Sequence, residues 1–438
     1  MEKKFLSAAE MKTRLLRGDF DARLMQFYGT SGDGLTPYRR RIADAADCFT
    51  AKYGNLPIRV FSVSGRTELG GNHTDHQHGC VLAGGINLDI LAIAAKAGGN
   101  EIRVQSEGFP EDRIALGDLS VQPDENGTSA ALIRGTAARF GQLGKPVQGF
   151  CAYTVSDVMK GSGLSSSAAF EVMIGTICND FFADSSFSLA ETAMIAQYAE
   201  NVYFGKPCGL MDQMACALGT VAAIDFETEG KPQWEQITLN LAEKGYALCI
   251  VDSRADHADL TDEYAAVPAE MRSIAAYLGK EVLRETDEQA FREKLPELRQ
   301  ACGDRAVLRA IHFYGDNARA KSQADALRSG DFDAYLQLVR ESGRSSVLYL
   351  QNISPCGRPQ SQAVAVALAV CDRLLAGKGA YRVHGGGFAG TVQAYVPLAE
   401  VEAFRRETER IFGAGACYVL QLRECGAAAL WDNRGGTD

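Results

Sequence analysis

Apolar and polar positions change their spacing several times along the chain, and each change predicts an element. The first 36 residues read as polar helix and break at Gly29-Thr30-Ser31-Gly32-Asp33-Gly34, and a further helix is expected from Pro37 to Tyr53. From Ile58 the chain turns to short runs rich in Val and Ile and bounded by Gly or Asn. Ile58–Val63, Val81–Ile86, Ile90–Ala95 and Ile102–Ser106 are read as strands of one sheet. Helical spacing returns at Ala130–Gly141, Ala168–Phe182 and Leu189–Phe204. After Trp234 the pattern restarts with a strand at Ala247–Asp252 and long charged helices between Asp262 and Leu327. Helices at Phe332–Ser342, Gln360–Ala376 and Leu398–Ile411 follow, with alternating runs at Gly387–Val396 and Cys417–Leu422. Strands mixed with helices in both halves, without a regular βαβ period, predict α+β lobes rather than one doubly wound sheet. The expected organisation is an N-terminal helical extension (1–36), an N-terminal lobe (37–235) and a C-terminal lobe (236–438).

Composition narrows the class of protein. The 438 residues are 46% hydrophobic and 23% charged, the balance of a globular chain, and the length suits two or three domains of about 150 residues. Forty-five Lys and Arg face 55 Asp and Glu, a net charge of −10, which disfavours nucleic acid and anionic membranes as partners. A polyphosphate ligand would have to be met locally, by backbone amides, a few cations and a divalent metal. The opening residues MEKKFLSAAEMKTRLL lack the apolar core of a leader, and Ala363–Cys371 falls short of the roughly 18 apolar residues of a membrane span. Twelve scattered cysteines without a C-x-x-C pair predict buried free thiols and a cytoplasmic protein.

Candidate chemistry collects at four glycine-rich places. Lys160-Gly161-Ser162-Gly163-Leu164-Ser165-Ser166-Ser167-Ala168 opens a helix, where unpaired N–H groups and hydroxyls can cradle phosphates or simply cap the helix. It is not the G-x-x-x-x-G-K-[ST] loop. Gly385-Gly386-Gly387-Phe388-Ala389-Gly390 spells G-x-G-x-x-G, but an alternating run follows it where a dinucleotide site needs a helix. A loop allowing close approach of backbone to another segment or a ligand is the better reading. Gly65-Arg66 to Gly79 carries His73, Asp75, His76 and His78, which suit either a metal cluster or a hydrogen-bonding loop. In Cys208-Gly209-Leu210-Met211-Asp212-Gln213, Asp212 is either a helix cap or a catalytic carboxylate. Glu200, upstream on a helix, is either a metal ligand or a solvated charge.

Taken together and in this order, the four segments resemble the galactokinase branch of the GHMP superfamily of sugar and metabolite kinases. Arg66 through Asn72-His73-Thr74-Asp75 looks like the galactokinase signature, and Gly161–Ala168 like the superfamily's ATP loop. Cys208–Gln213 looks like the segment of the catalytic aspartate, and Gly385–Gly390 like the third glycine motif. The resemblance implies a two-lobed α+β fold with the active site between the lobes, and ATP- and Mg2+-dependent phosphorylation of the anomeric hydroxyl of galactose by direct in-line transfer.

By position, it assigns Asp212 and Arg66 to catalysis and Asn72, His73, Asp75, Gly209 and Tyr264 to the sugar. Gly161, Ser162, Gly163, Leu164, Ser165 and Ser166 fall to ATP, and Ser167 and Glu200 to Mg2+. Small-molecule sugar and ATP are then the expected partners of a monomer or weak dimer. The family has Glu where this chain has Asn72 and an aromatic residue where it has His76. Loss of a carboxylate expected to bind the 6-hydroxyl admits a galacturonate or other galactose-like 1-kinase as an alternative. A non-catalytic sugar and ATP sensor is a second alternative, against which Arg66, Asp212 and Ser167-Ala168 all stand intact.

Overall fold

The computed structural model describes residues 5–158, 163–206, 208–255, 260–388 and 390–431. Its first sheet carries β1 (Arg59–Gly70), β2 (Cys80–Lys96), β3 (Glu101–Ser106), β4 (Glu111–Ala115), β5 (Phe150–Ser156), β6 (Ala222–Asp225) and β7 (Gln233–Gln236). The second sheet is formed by β8 (Tyr246–Asp252), β9 (Ala380–His384), β10 (Thr391–Pro397) and β11 (Cys417–Leu420). A two-residue β12 (Ala428–Ala429) returns to the first sheet, giving the order β12-β1-β2-β5-β3-β4 with β6 and β7 branching from β2. The second sheet runs β11-β8-β10-β9, all antiparallel. Both sheets bear helices, so the α+β class expected from the sequence is the class observed.

Two runs read as separate strands are one. Val81–Ile86 and Ile90–Ala95 lie within β2, which continues through Asn87-Leu88-Asp89. The pairing with β1 shifts register between Ser64 and Arg66, a bulge that absorbs the polar interruption. Asp89 is buried there and neutralised from several sides. Tyr28 Oη donates to it at 3.0 Å, Ser62 and the Arg41 guanidinium also bond it, and Arg41 bridges on to Asp157 at 2.9 Å.

The N-terminal extension forms helices Ala8–Arg17 and Asp21–Tyr28 and packs on the outer face of the first sheet. Leu24, Phe27 and Leu35 join Val60, Leu91, Ile93 and Val155 in one apolar cluster, and Phe20 stacks on Trp431 at 5.4 Å. The extension therefore covers a sheet face that would otherwise be exposed. The first sheet holds β1 to β7 and the second β8 to β11, and the end of the chain crosses back: Ala429 pairs with Phe61 in β1. All twelve cysteines are free, and seven of them are buried.

Leu24 is wholly buried in the face covered by the extension, whereas Leu16 is 81% exposed. Leu24→Ala should destabilise by about 2–5 kcal/mol in urea unfolding, and Leu16→Ala by less than about 0.5 kcal/mol. Equal values would show that the extension does not seal the sheet.

Candidate active site

The centre of the site is a charged pair drawn from two distant segments. Arg66 lies on β1 beyond the bulge, and Asp212 in the first turn of the helix Met211–Leu218. The guanidinium grips the carboxylate in bidentate fashion, Nε to Oδ1 at 2.8 Å and Nη2 to Oδ2 at 3.0 Å. The Ser165 hydroxyl donates to the same carboxylate, and Arg66 also donates to the Gly163 carbonyl. Burial pushes the Asp212 carboxyl up, but the Arg66 charge and the Arg66 and Ser165 hydrogen bonds outweigh it, and the net direction is below the ordinary 3.8. Asp212 is thus an anion with modest basicity, suited to orienting a hydroxyl and organising charge.

Ser165 precedes the helix Ser166–Phe182 and adopts φ +58, a left-handed conformation that turns its hydroxyl toward Asp212 instead of capping the helix. The helix N-terminus is therefore left open to an anion. Of the phosphate-loop residues expected from the sequence, Gly163, Leu164, Ser165 and Ser166 are placed here, and Gly161 and Ser162 lie outside the described residues. Leu164 is buried, and its carbonyl accepts from the Arg66 backbone N–H at 3.1 Å, tying β1 to the loop. Ser167 is exposed on the first turn of the same helix.

The third glycine segment closes the site from the second sheet. Its glycines permit contacts that any side chain would block. A Cβ on Gly386 would lie 2.7 Å from the Tyr264 ring, and one on Gly387 (φ +79) would lie 2.0 Å from the Asn352 carbonyl. The Tyr264 hydroxyl donates to the Gly387 carbonyl at 2.9 Å, and the His73 Nε2 lies 3.1 Å from the Gly386 carbonyl. A carbonyl only accepts, so His73 carries its proton on Nε2. Burial, assisted by His76, lowers the His73 pKa to about 4, and burial raises Tyr264 to about 12, so both are neutral donors near pH 7. Asp75 lies against Gly209, where a Cβ would sit 2.0 Å from its Oδ2. The loop glycines thus let other segments approach the backbone closely, and His73 hydrogen-bonds to the loop; among the described residues no group of three or more His, Cys, Asp or Glu could hold a metal ion.

Asn72 sits differently from its neighbours. It is wholly buried, and its side chain bonds Glu68, Gly385, Asn352 and Ser346. Glu200 is also buried, on a π-helical turn (Ala199–Phe204) that continues the expected helix. The Gln213 amide donates to Glu200 at 2.7 Å and to Glu171 at 3.1 Å. Burial and the neighbouring Glu200 push the Glu171 carboxyl well above the ordinary carboxylate range. Glu171 was not singled out from the sequence, although its place one helical turn after Ser167 was a usable signal. Lys206, 3.5 Å from Glu200, was also overlooked because a lone lysine beside a Pro/Gly turn has no pattern.

Three imidazoles, His73 half-buried and the other two buried, share one electrostatic behaviour. His73, His312 and His384 are all lowered by burial. At His384 the Glu68 backbone N–H donates to Nε2 (3.3 Å), and Nδ1 faces the Thr391 hydroxyl at 3.1 Å, an arrangement that the neutral ring satisfies.

Two family models and several known proteins match this chain. Residues 47–96 match the galactokinase galactose-binding signature, and residues 131–220 match the GHMP kinases N terminal domain. The chain is 30% identical to the galactokinase of Homo sapiens over 89% of this chain and 96% of that one. It is 31% identical to the galactokinase of Actinobacillus pleuropneumoniae serotype 5b over 83% and 91%. Among solved structures, Lactococcus lactis galactokinase complexed with galactose superposes with a TM-score of 0.73 at 22% identity, covering 87% of this chain and 98% of that one. Methanococcus jannaschii mevalonate kinase gives 0.58 at 14% identity, over 83% and 98%.

Between pH 6.5 and about 4, the unfolded chain binds protons on imidazoles that the native state keeps neutral, so acid favours unfolding in this window. The Asp212 contribution persists there, because a depressed carboxylate loses its stabilisation only below its ordinary 3.8. The midpoint of thermal unfolding should therefore fall as the pH drops from 7 to 5. Glu171, raised by burial and by Glu200, acts in the opposite direction, so a midpoint that rises in E171Q as well would show that these rings are charged in the native state.

Proposed function

Because the chain belongs to the galactokinase family, we propose that it transfers the γ-phosphoryl group of ATP to the anomeric hydroxyl of galactose, giving galactose 1-phosphate and ADP. The observation that carries this reading is the bidentate Arg66–Asp212 pair set against an open helix N-terminus. In-line transfer needs a positioned hydroxyl, a phosphate cradle and cations around the moving group, rather than a covalent nucleophile. Asp212 accepts a hydrogen bond from the anomeric hydroxyl, orients it toward the γ-phosphorus and takes its proton as transfer proceeds. Arg66 keeps Asp212 ionised and meets the charge developing on the phosphoryl oxygens. The segment Gly161–Ser166 wraps the phosphates, with the N–H groups of the helix Ser166–Phe182 supplying fixed dipoles. His73, Asp75, Gly209 and Tyr264 hold the sugar.

Magnesium is assigned to Ser167 and Glu200. The donor set fits a hard cation: an exposed hydroxyl on the first turn of the helix, and a buried carboxylate whose neighbour, Glu171, is raised by burial and then by its proximity. Bound there, the metal would neutralise charge on the phosphates and hold them for transfer. Intact Arg66, Asp212 and Ser167 favour an enzyme over a sensor, and galactose over galacturonate is the reading that the family supports.

Asp212→Asn keeps the shape and removes the charge. ADP release with MgATP and galactose should fall by about a thousandfold or more, while both ligands still bind in calorimetry. Turnover within tenfold of the unmutated enzyme would sink the assignment.

A further inference from the structure

Two of the side chains given to the sugar are held by one loop. Gly386 and Gly387 offer consecutive carbonyls to His73 and Tyr264, at 3.1 and 2.9 Å. Gly385 and Gly387 have φ of +64 and +79, and glycine backbone has no side chain of its own to fix it. The loop is fixed from outside. Asn72 Nδ2 donates to the Gly385 carbonyl at 2.8 Å, Asn352 Nδ2 donates to the Gly386 carbonyl at 3.3 Å, and the Phe388 N–H donates to the Asn352 carbonyl at 2.5 Å.

Asn72 is itself fixed from every direction. Nδ2 also donates to Glu68 Oε1 and Oε2 at 3.0 and 3.3 Å, and Oδ1 accepts from Asn352 at 3.0 Å and Ser346 at 3.3 Å. The backbone N–H donates to Asp316 at 2.7 Å, and the carbonyl accepts from His312 at 2.9 Å. Every polar atom of this wholly buried residue is spent on protein, which leaves none to read a ligand. Glu68, equally buried, is clamped by the Arg382 guanidinium.

We propose that Asn72 is a positioning residue for the sugar site. Through the Gly385 carbonyl it sets the loop whose next two carbonyls orient His73 and Tyr264, and the Glu68–Arg382 pair sets Asn72. This rests on the kinase reading above. The chemistry also explains why the chain departs from its family at this position. Nδ2 faces only acceptor oxygens, those of Glu68 and Gly385, so position 72 must donate. A carboxylate at 72 would meet three acceptors, and the one carboxylate of the pair stands instead at 68, against Arg382.

The test uses the full-length enzyme, N72D, E68Q/N72D and, from the other side of the loop, N352D. Galactose, 6-deoxygalactose and galacturonate are compared by turnover and by calorimetric binding. N72D should weaken galactose by about tenfold or more in KM, with KM for ATP within twofold. The same fold-loss should apply to each of the three sugars that binds, and N352D should repeat the pattern should N72D fail to fold. In E68Q/N72D the amide introduced at position 68 donates to the carboxylate introduced at position 72, but Arg382 loses its buried partner, so the unfolding midpoint should stay low. The galactose KM should stay raised in this double variant, because the new carboxylate still opposes the Gly385 carbonyl. A loss that depends on the substituent at C6 would show that Asn72 reads the sugar directly. Recovery of KM together with stability would show a merely structural role. Either result overturns the proposal. Galactose binding without ADP release in the unmutated enzyme would fail the kinase reading and leave the affinity comparison in force. Absence of binding by all three sugars would overturn both.

Discussion

The buried ion pair between Glu68 and Arg382 joins the two sheets beside the Arg66–Asp212 pair. Arg382 and His384 alternate along β9 and stand directly opposite Gln393 and Thr391 on β10, so all four project from one face of the second sheet. That face meets the end of β1, where Gln393 donates to the Thr67 hydroxyl at 2.8 Å and to the Glu68 carbonyl at 2.9 Å. Removing one member of such a pair leaves an uncompensated buried charge, at about 3–5 kcal/mol, while the intact pair adds little net stability. Its effect is on registration. A slip of one residue in β9 or β10 would turn the arginine and the glutamine into apolar packing, so the seam admits one alignment. Arg66 is two residues from Glu68 and inherits that alignment.

Around this seam, the site is held by groups that satisfy one another before any ligand enters. Arg66 divides its donors between Asp212 and the Gly163 carbonyl, and Ser165 spends its hydroxyl on Asp212. Substrate hydroxyls and phosphates can then replace existing partners in a preorganised field. The glycine loop contributes by what it lacks. Without Cβ atoms at 386 and 387, Tyr264 and Asn352 pack directly on backbone, and the loop carbonyls become fixed acceptors. The neutral histidines belong to the same design, since each supplies directional hydrogen bonds without adding charge to the site.

Much of this was legible in the chain. Hydrophobic spacing located most helices and the apolar strands, and the structure brings groups of the four glycine-rich segments together: Arg66 with Asp212, His73 with Gly386 and Asp75 with Gly209. Arg66 and Asp212 come from segments far apart in sequence and close in a bidentate contact, as their resemblance to family motifs implied. The strands β4, β5, β6, β7 and β9 were not singled out. They are short, or carry polar and aromatic residues that give no clean alternation, and pairing with neighbours rather than local pattern makes them strands. The split of β2 was over-read because Asn87 and Asp89 look like a turn until buried partners for Asp89 are known.

The sequence by itself determined the class of fold and the family and pointed to candidate residues for the chemistry, because these depend on local spacing and on motifs contiguous in the chain. Only the tertiary structure decided which face of each polar residue meets what. Arg382, His384, Thr391 and Gln393 carry no local signal of burial, yet they meet the end of β1 from the second sheet. Asn72 lies inside the sugar signature, yet its amide is turned into protein. Glu171 and Glu200 are brought to one glutamine from different helices. The reason is common to all three: a buried polar group takes its role from partners supplied by distant segments, and no local pattern encodes those partners.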